Sequence, residues 1–315
     1  MKKLAKAFWL ADATLAIHAG QEKFRLSAPV GTSIARTANF TFASTEEMKR
    51  WAEGKSSAYI YTRYGNPTLA VAEAKIAALE GAEAAIVTAS GMAAISNALL
   101  SVLKSDDEVI ATRALYGGSY RMMRDIFPRI GIVVRHVETD LAGIERLVNP
   151  RTRALYIETP TNPTLRLVDL RKAIAFAKEW DLHSLIDNTF ASPVLQKPIE
   201  MGFDLVMHSA TKYLAGHSDV IAGAVAGSRG LIDKIRDMII YLGASHGSGG
   251  SVSADSRDEN PGIARAAAVR DGFDCRSFLG KASEGGARSL SRIAFASGSQ
   301  IGQAADEGVW GDDGF

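Results

Sequence analysis

The sequence predicts an α/β fold in which a mainly parallel sheet carries helices on both faces, preceded by an extended N-terminal arm. Two observations predict this. From about Leu69 onward, short apolar runs alternate with stretches of helical periodicity, the pattern of strands joined by crossover helices. Polar residues suited to ligand chemistry follow several of these runs. Such residues converge at one rim when the strands run parallel, and open α/β sheets bind ligands outside the carboxyl ends of their strands.

The elements follow in order. Residues 1–62 carry few periodic signals and read as an arm, with a short helix around Thr45 to Glu53. Residues 63–245 read as the α/β unit. Val71 to Leu79 is helical, Glu83 to Ala89 is a short buried strand, and Gly91 to Leu103 resumes helical spacing. Strand-like runs recur at Glu108 to Thr112, Gly131 to Val137, Arg153 to Glu158, Leu182 to Ile186, Asp204 to His208 and Val220 to Ala226. Between two of them, Asp169 to Trp180 places Leu170, Ile174, Ala177 and Trp180 at helical spacing. Residues 246–315 differ: they hold 13 of the 29 glycines and show no strand pattern. They read as a Gly/Ser-rich linker and a poorly ordered tail.

Composition narrows the classes. With 315 residues and a formal net charge of +1, nothing argues for nucleic acid or an anionic membrane as partner. Cys275 is the single cysteine, so no internal disulfide forms and no Cys/His zinc spacing exists. A reduced, cytoplasmic setting is expected. The apolar run Ala7 to Ala11 after Met1-Lys2-Lys3 is cut by Asp12 before it reaches signal-peptide length. No stretch approaches the roughly 18 apolar residues of a membrane span.

Asp187 and Lys212, 25 residues apart, carry the chemistry. Each follows an apolar run. A lysine at a strand end forms an imine with a carbonyl cofactor, and a carboxylate beside it holds a ring nitrogen protonated; pyridoxal phosphate (PLP) needs both. Such a lysine must shed its proton, which burial favours, and Tyr213-Leu214 and Val206-Met207 are expected to cover it. Ser90-Gly91-Met92 joins a strand to a helix, where backbone N–H groups and the helix dipole attract an anion. Ser209 and Thr211 add hydroxyl donors. Tyr116 offers a face for stacking and a hydroxyl for proton transfer. Asn162 offers an amide to a phenolic oxygen, and Arg63 a fork for phosphate. His208 and His217 lack a second ligand at metal spacing, so both are expected to be structural or supporting groups, and no metal is expected.

Six motifs in this order resemble the Cys/Met-metabolism family of PLP enzymes: Tyr61-Thr-Arg-Tyr-Gly-Asn-Pro-Thr68, Ser90-Gly-Met-Ala-Ala94, Tyr116-Gly-Gly118, Pro160-Thr-Asn-Pro163, Asp187-Asn-Thr-Phe190 and Ser209-Ala-Thr-Lys212. The resemblance runs from about Asp12 to Ala244. It implies a fold-type I aminotransferase-like domain that works as a homodimer or homotetramer. Lys212 would carry the Schiff base and move protons, Asp187 would pair with the pyridine nitrogen, and Tyr116 would stack on the ring. Gly91, Met92, Ser209 and Thr211 would hold the phosphate, joined by Tyr61 and Arg63 from a neighbouring subunit. The implied reaction is γ-elimination or γ-replacement on a sulfur-containing or activated-homoserine amino acid. Gly118 stands where methionine γ-lyases typically carry a cysteine, which points instead toward cystathionine γ-synthases, γ-lyases and sulfhydrylases.

The family continues into a C-terminal α/β domain whose arginine binds the substrate α-carboxylate, and no segment after Ala244 matches it. The abrupt change of composition near Ser245 suggests out-of-frame translation, so the alternative to a working enzyme is a truncated PLP-binding relic or interaction subunit without turnover. Two other readings fail on motifs. Ser209-x-x-Lys212 spells the Ser-x-x-Lys of penicillin-recognising enzymes, but no Lys-Thr-Gly accompanies it. A dinucleotide-binding fold lacks its G-x-G-x-x-G.

Overall fold

The computed structural model describes residues 12–20, 32–216 and 220–247. His217, Cys275 and the tail expected beyond Gly247 lie outside the described residues.

Seven strands form one sheet: β1 (Ala84–Thr88), β2 (Glu108–Thr112), β3 (Val133–Val137), β4 (Thr152–Glu158), β5 (His183–Asp187), β6 (Leu205–His208) and β7 (Gly223–Gly227). Their spatial order is β1-β7-β6-β5-β4-β2-β3. Strands β2 to β6 pair in parallel, whereas β7 runs antiparallel to both β1 and β6. Six strands therefore end at the same rim, and β7 begins there.

The helices are α1 (Asp12–His18), α2 (Thr45–Ala52), α3 (Pro67–Glu80), α4 (Gly91–Val102), α5 (Gly117–Asp125), α6 (Leu170–Glu179), the single turns α7 (Ser192–Leu195) and α8 (Pro198–Met201), and α9 (Arg229–Leu242). Alternate residues of each strand face opposite sides, so the sheet supplies two cores. On one face Val109, Ala111, Tyr156, Leu185 and Met207 pack with α4, α5 and α9. On the other Ile110, Leu155, Ile157, Ile186 and Val206 meet α6 through Leu170, Ala173, Ile174, Phe176 and Ala177. Each large aliphatic side chain so buried contributes about 1.5–3 kcal/mol. Helix α6 starts where Asp169 accepts hydrogen bonds from the N–H groups of Arg171 and Lys172, an N-cap worth about 1 kcal/mol.

The arm doubles back on itself. Phe40 N–H donates to Ile60 and Thr62 N–H to Ala38, bringing Asn39 opposite Tyr61. Helix α2 sits at the turn, and Trp51 packs between Phe42 and Tyr64. Among the described residues no helix is long and apolar enough to cross a membrane.

Candidate active site

The rim where six strands end gathers most of the predicted residues. Asp187, the last residue of β5, is buried, and its Oδ1 accepts hydrogen bonds from the Thr189 N–H (3.0 Å) and hydroxyl (2.5 Å). Its Oδ2 accepts none from the described residues. Burial raises its pKa above the usual carboxylate range, against the pull of the Thr189 hydrogen bonds and of His208. Thr189 Oγ1 also accepts from the backbone N–H of Ser209 at 2.8 Å. One hydroxyl thus links the carboxylate to the loop that carries Lys212.

Across that loop stands the start of α4. Ser90 caps it by accepting the Ala93 N–H at 3.1 Å. The amides of Gly91 and Met92 lie in the first turn, where a helix offers no acceptor of its own. Gly91 is required by close approach: a Cβ there would fall 2.8 Å from Ser209 Cβ and 2.9 Å from its Oγ. Glycine thereby brings the helix N-terminus and the Ser209 hydroxyl to one point.

Lys212 follows in a turn in which its N–H donates to Ser209 O. The expectation that it is covered is corrected: Lys212 is exposed, and Tyr213 keeps 49% of its surface. Val206 and Met207 are buried, but in the strand before it, so they cannot shield a side chain that has left the sheet. Thr211 also differs, because its hydroxyl donates to Ala222 O and accepts from Ala222 N. It tethers the loop to the start of β7.

Tyr116 ends the loop after β2 and is 47% exposed. Its ring lies over Gly118, where a Cβ would fall 2.5 Å from Tyr116 Cε1 and 3.0 Å from Met92 Sδ. A side chain at 118 therefore requires the ring to move. Asn162, partly buried, stands in the loop after β4. Tyr61 and Arg63 come from the end of the arm. Arg63 donates to the carbonyl of Ile240 near the end of α9, with the Tyr61 and Tyr64 rings 5.4 and 5.1 Å from its guanidinium.

The sequence reading gives no role to Thr189 or Glu158. Glu158 closes β4 directly beside Asp187 in the parallel register. It accepts from the N–H groups of Tyr116 (2.7 Å) and Asn162 (2.8 Å). Burial, and then the charge of Asp187, raise it to about 8, against those two hydrogen bonds. The signal was an acid at the end of an apolar run, the same signal that singles out Asp187. On the opposite face His208 Nε2 lies 2.6 Å from Glu80 Oε1, and Asn188 donates to the same oxygen at 3.2 Å. His208 is thus structural, as expected. No cluster of metal-binding side chains occurs among the described residues.

This arrangement offers amides for an anion, a buried carboxylate for a cationic ring nitrogen and an amine for a carbonyl. Residues 13–255 match the family described as Cys/Met metabolism PLP-dependent enzyme. The chain belongs to that family. The Cys/Met-metabolism chain is 40% identical over 225 residues to the L-methionine γ-lyase of Pseudomonas putida, covering 71% of this chain and 56% of that one. It is 38% identical over 243 residues to a chloroplastic cystathionine γ-synthase of Arabidopsis thaliana, covering 76% and 43%. The chain thus spans about half the length of these relatives. The crystal structure of a Lactobacillus plantarum cystathionine γ-lyase complexed with L-serine superposes with a TM-score of 0.74 and 34% identity, covering 81% of this chain and 65% of that one. The fold-type I expectation is borne out. Identity does not separate lyase from synthase, so Gly118 decides nothing by itself.

Proposed function

We propose that this chain holds PLP at the strand rim and acts in γ-elimination or γ-replacement on a sulfur-containing or activated-homoserine amino acid. The observation that carries this reading is the convergence, through Thr189 and Gly91, of the Asp187 carboxylate, the α4 N-terminus and the Ser209–Lys212 loop.

The residues present fit the group. The Asp187 residue is buried and its Oδ1 is taken by Thr189, which leaves Oδ2 for a ring N–H. The Gly91 and Met92 amides, in the first turn of α4, and the adjacent Ser209 hydroxyl form a donor set suited to a phosphate, to which the helix dipole adds its attraction. When bound, PLP supplies an electron sink conjugated to the substrate's Cα. With the group bound, Lys212 Nζ would take the proton from Cα, give it up to the cofactor side, and so be free to take one from Cβ, after which a group at Cγ could depart with its electron pair. Tyr116 would cover one ring face, and its hydroxyl would carry protons there. The Asn162 side-chain amide would donate to the phenolic oxygen. Thr211 holds the Lys212 loop through Ala222 rather than touching phosphate.

An exposed Lys212 and an Arg63 engaged by the Ile240 carbonyl fit a site completed by a second copy. Tyr61 and Arg63 of that copy then reach this chain's phosphate. Ile221, Tyr241 and Leu242 are 69%, 80% and 65% exposed, apolar surface of the kind that self-association covers.

The test is a visible absorbance spectrum of the purified chain with PLP, beside Lys212→Ala. A lysine-dependent band that shifts on adding a homoserine ester or cystathionine supports the reading. A lysine-dependent band that never shifts supports binding without turnover, and no such band removes the reading.

A further inference from the structure

We propose that Glu158 is a positioning residue: its single carboxylate fixes the loop that carries Tyr116 and the loop that carries Asn162 at a set spacing beside Asp187. The argument rests on geometry. The two oxygens are used separately, Oε2 by the Tyr116 N–H at 2.7 Å and Oε1 by the Asn162 N–H at 2.8 Å. These amides belong to loops that leave different, neighbouring strands, β2 and β4. Tyr116 is the N-cap of α5 and its own side chain makes no capping bond, so a carboxyl oxygen arriving from β4 supplies the acceptor for the N–H at this helix start.

Only a carboxylate serves both amides. It presents two acceptors in one plane, whereas an amide presents one acceptor and one donor. The position is costly for stability alone, because Glu158 is buried next to a second carboxylate in register. A group kept in such surroundings has a function to hold there, as strained features cluster at sites of action. Its consequence for the cofactor rests on the proposed reading, in which Tyr116 covers the ring and Asn162 meets its phenolic oxygen.

Two measurements test it. Amide hydrogen exchange on the chain without PLP, over 113–118 and 159–166, is compared for wild type, Glu158→Gln and Glu158→Ala. Glu158→Ala is expected to speed exchange in both loops, and Glu158→Gln in one of them, by about tenfold or more for an opened loop. Unchanged exchange, or a rise spread evenly through the sheet, overturns the proposal. The PLP dissociation constant is then measured for Glu158→Ala, Tyr116→Ala and the double variant. A positioning role predicts that the double loses little beyond Tyr116→Ala, whereas independent effects add, and additivity overturns the proposal. Should the wild type bind no PLP, the functional reading fails and the exchange result still decides whether Glu158 holds the loops.

Discussion

Glu108 shows how one buried carboxylate fastens the far rim. It begins β2, fully buried, and is bonded to the guanidinium of Arg135, to Arg151 at 2.5 Å and to the Asn149 amide at 2.8 Å. The Arg135 hydrogen bond is the main reason its pKa falls from the ordinary 4.5 to about 2, with Asn149 and the two arginine charges adding and burial opposing. A lowered folded value means that the bonus is present above 4.5 and lost as pH falls toward 2. Melting temperature should therefore drop more steeply between pH 5 and pH 2.5 in the wild type than in Glu108→Gln. Equal slopes would show that the group adds nothing. Salt should shrink the difference, since both arginines are partly exposed. Glu80 is the counterpart under the candidate site. Glu80→Ala leaves His208 and Asn188 without their shared acceptor, at about 1–3 kcal/mol for each buried group left unpaired. Chemical denaturation of the chain without PLP measures this, and a loss below 0.5 kcal/mol, no more than an ordinary surface change, would show that the pair does not matter.

At the scale of elements, the strand ends decide what the site is made of. Every predicted strand is present with ends shifted by up to three residues, as at Val220 against the observed Gly223. Apolar runs bounded by polar residues are strong signals. The reversed direction of β7 was not legible, because a buried run looks the same from either end and the pairing that fixes its direction is long-range. Apolar neighbours in sequence suggest a covered Lys212, but Val206 and Met207 remain in β6 and Tyr213 is itself exposed, so the lysine is left open. Thr189 and Glu158 act through hydrogen bonds across 20 and 42 residues, which spacing along the chain does not reveal. The start of α4 gives the element-scale prediction. Gly91→Ala drives a methyl into Ser209 and should weaken PLP binding by about tenfold or more, at least 1.4 kcal/mol, while leaving the far-UV circular dichroism unchanged. Unaltered PLP affinity would mean that the Gly91–Ser209 approach does not shape the phosphate site.

The whole molecule carries the question of sharing. Lys212 and Asp187 lie at the rim, while Arg63 is held against the end of α9. If each site takes Arg63 from a second copy, chains carrying Arg63→Ala and chains carrying Lys212→Ala should complement one another. Refolding them together places one intact site in each mixed dimer, restoring about a quarter of the lysine-dependent PLP sites for random pairing of a two-fold dimer. No recovery above the two separate variants would leave Arg63 serving its own chain.

Covalent trapping tests the central claim most directly, that Lys212 is the amine meeting PLP at a rim organised by Asp187. The chain is mixed with PLP, reduced with borohydride, digested and mapped by mass spectrometry. The account predicts a phosphopyridoxyl group on the peptide holding Lys212, with the label lost in Lys212→Ala and strongly reduced in Asp187→Ala. Label spread over surface lysines, unchanged by either substitution, would contradict it.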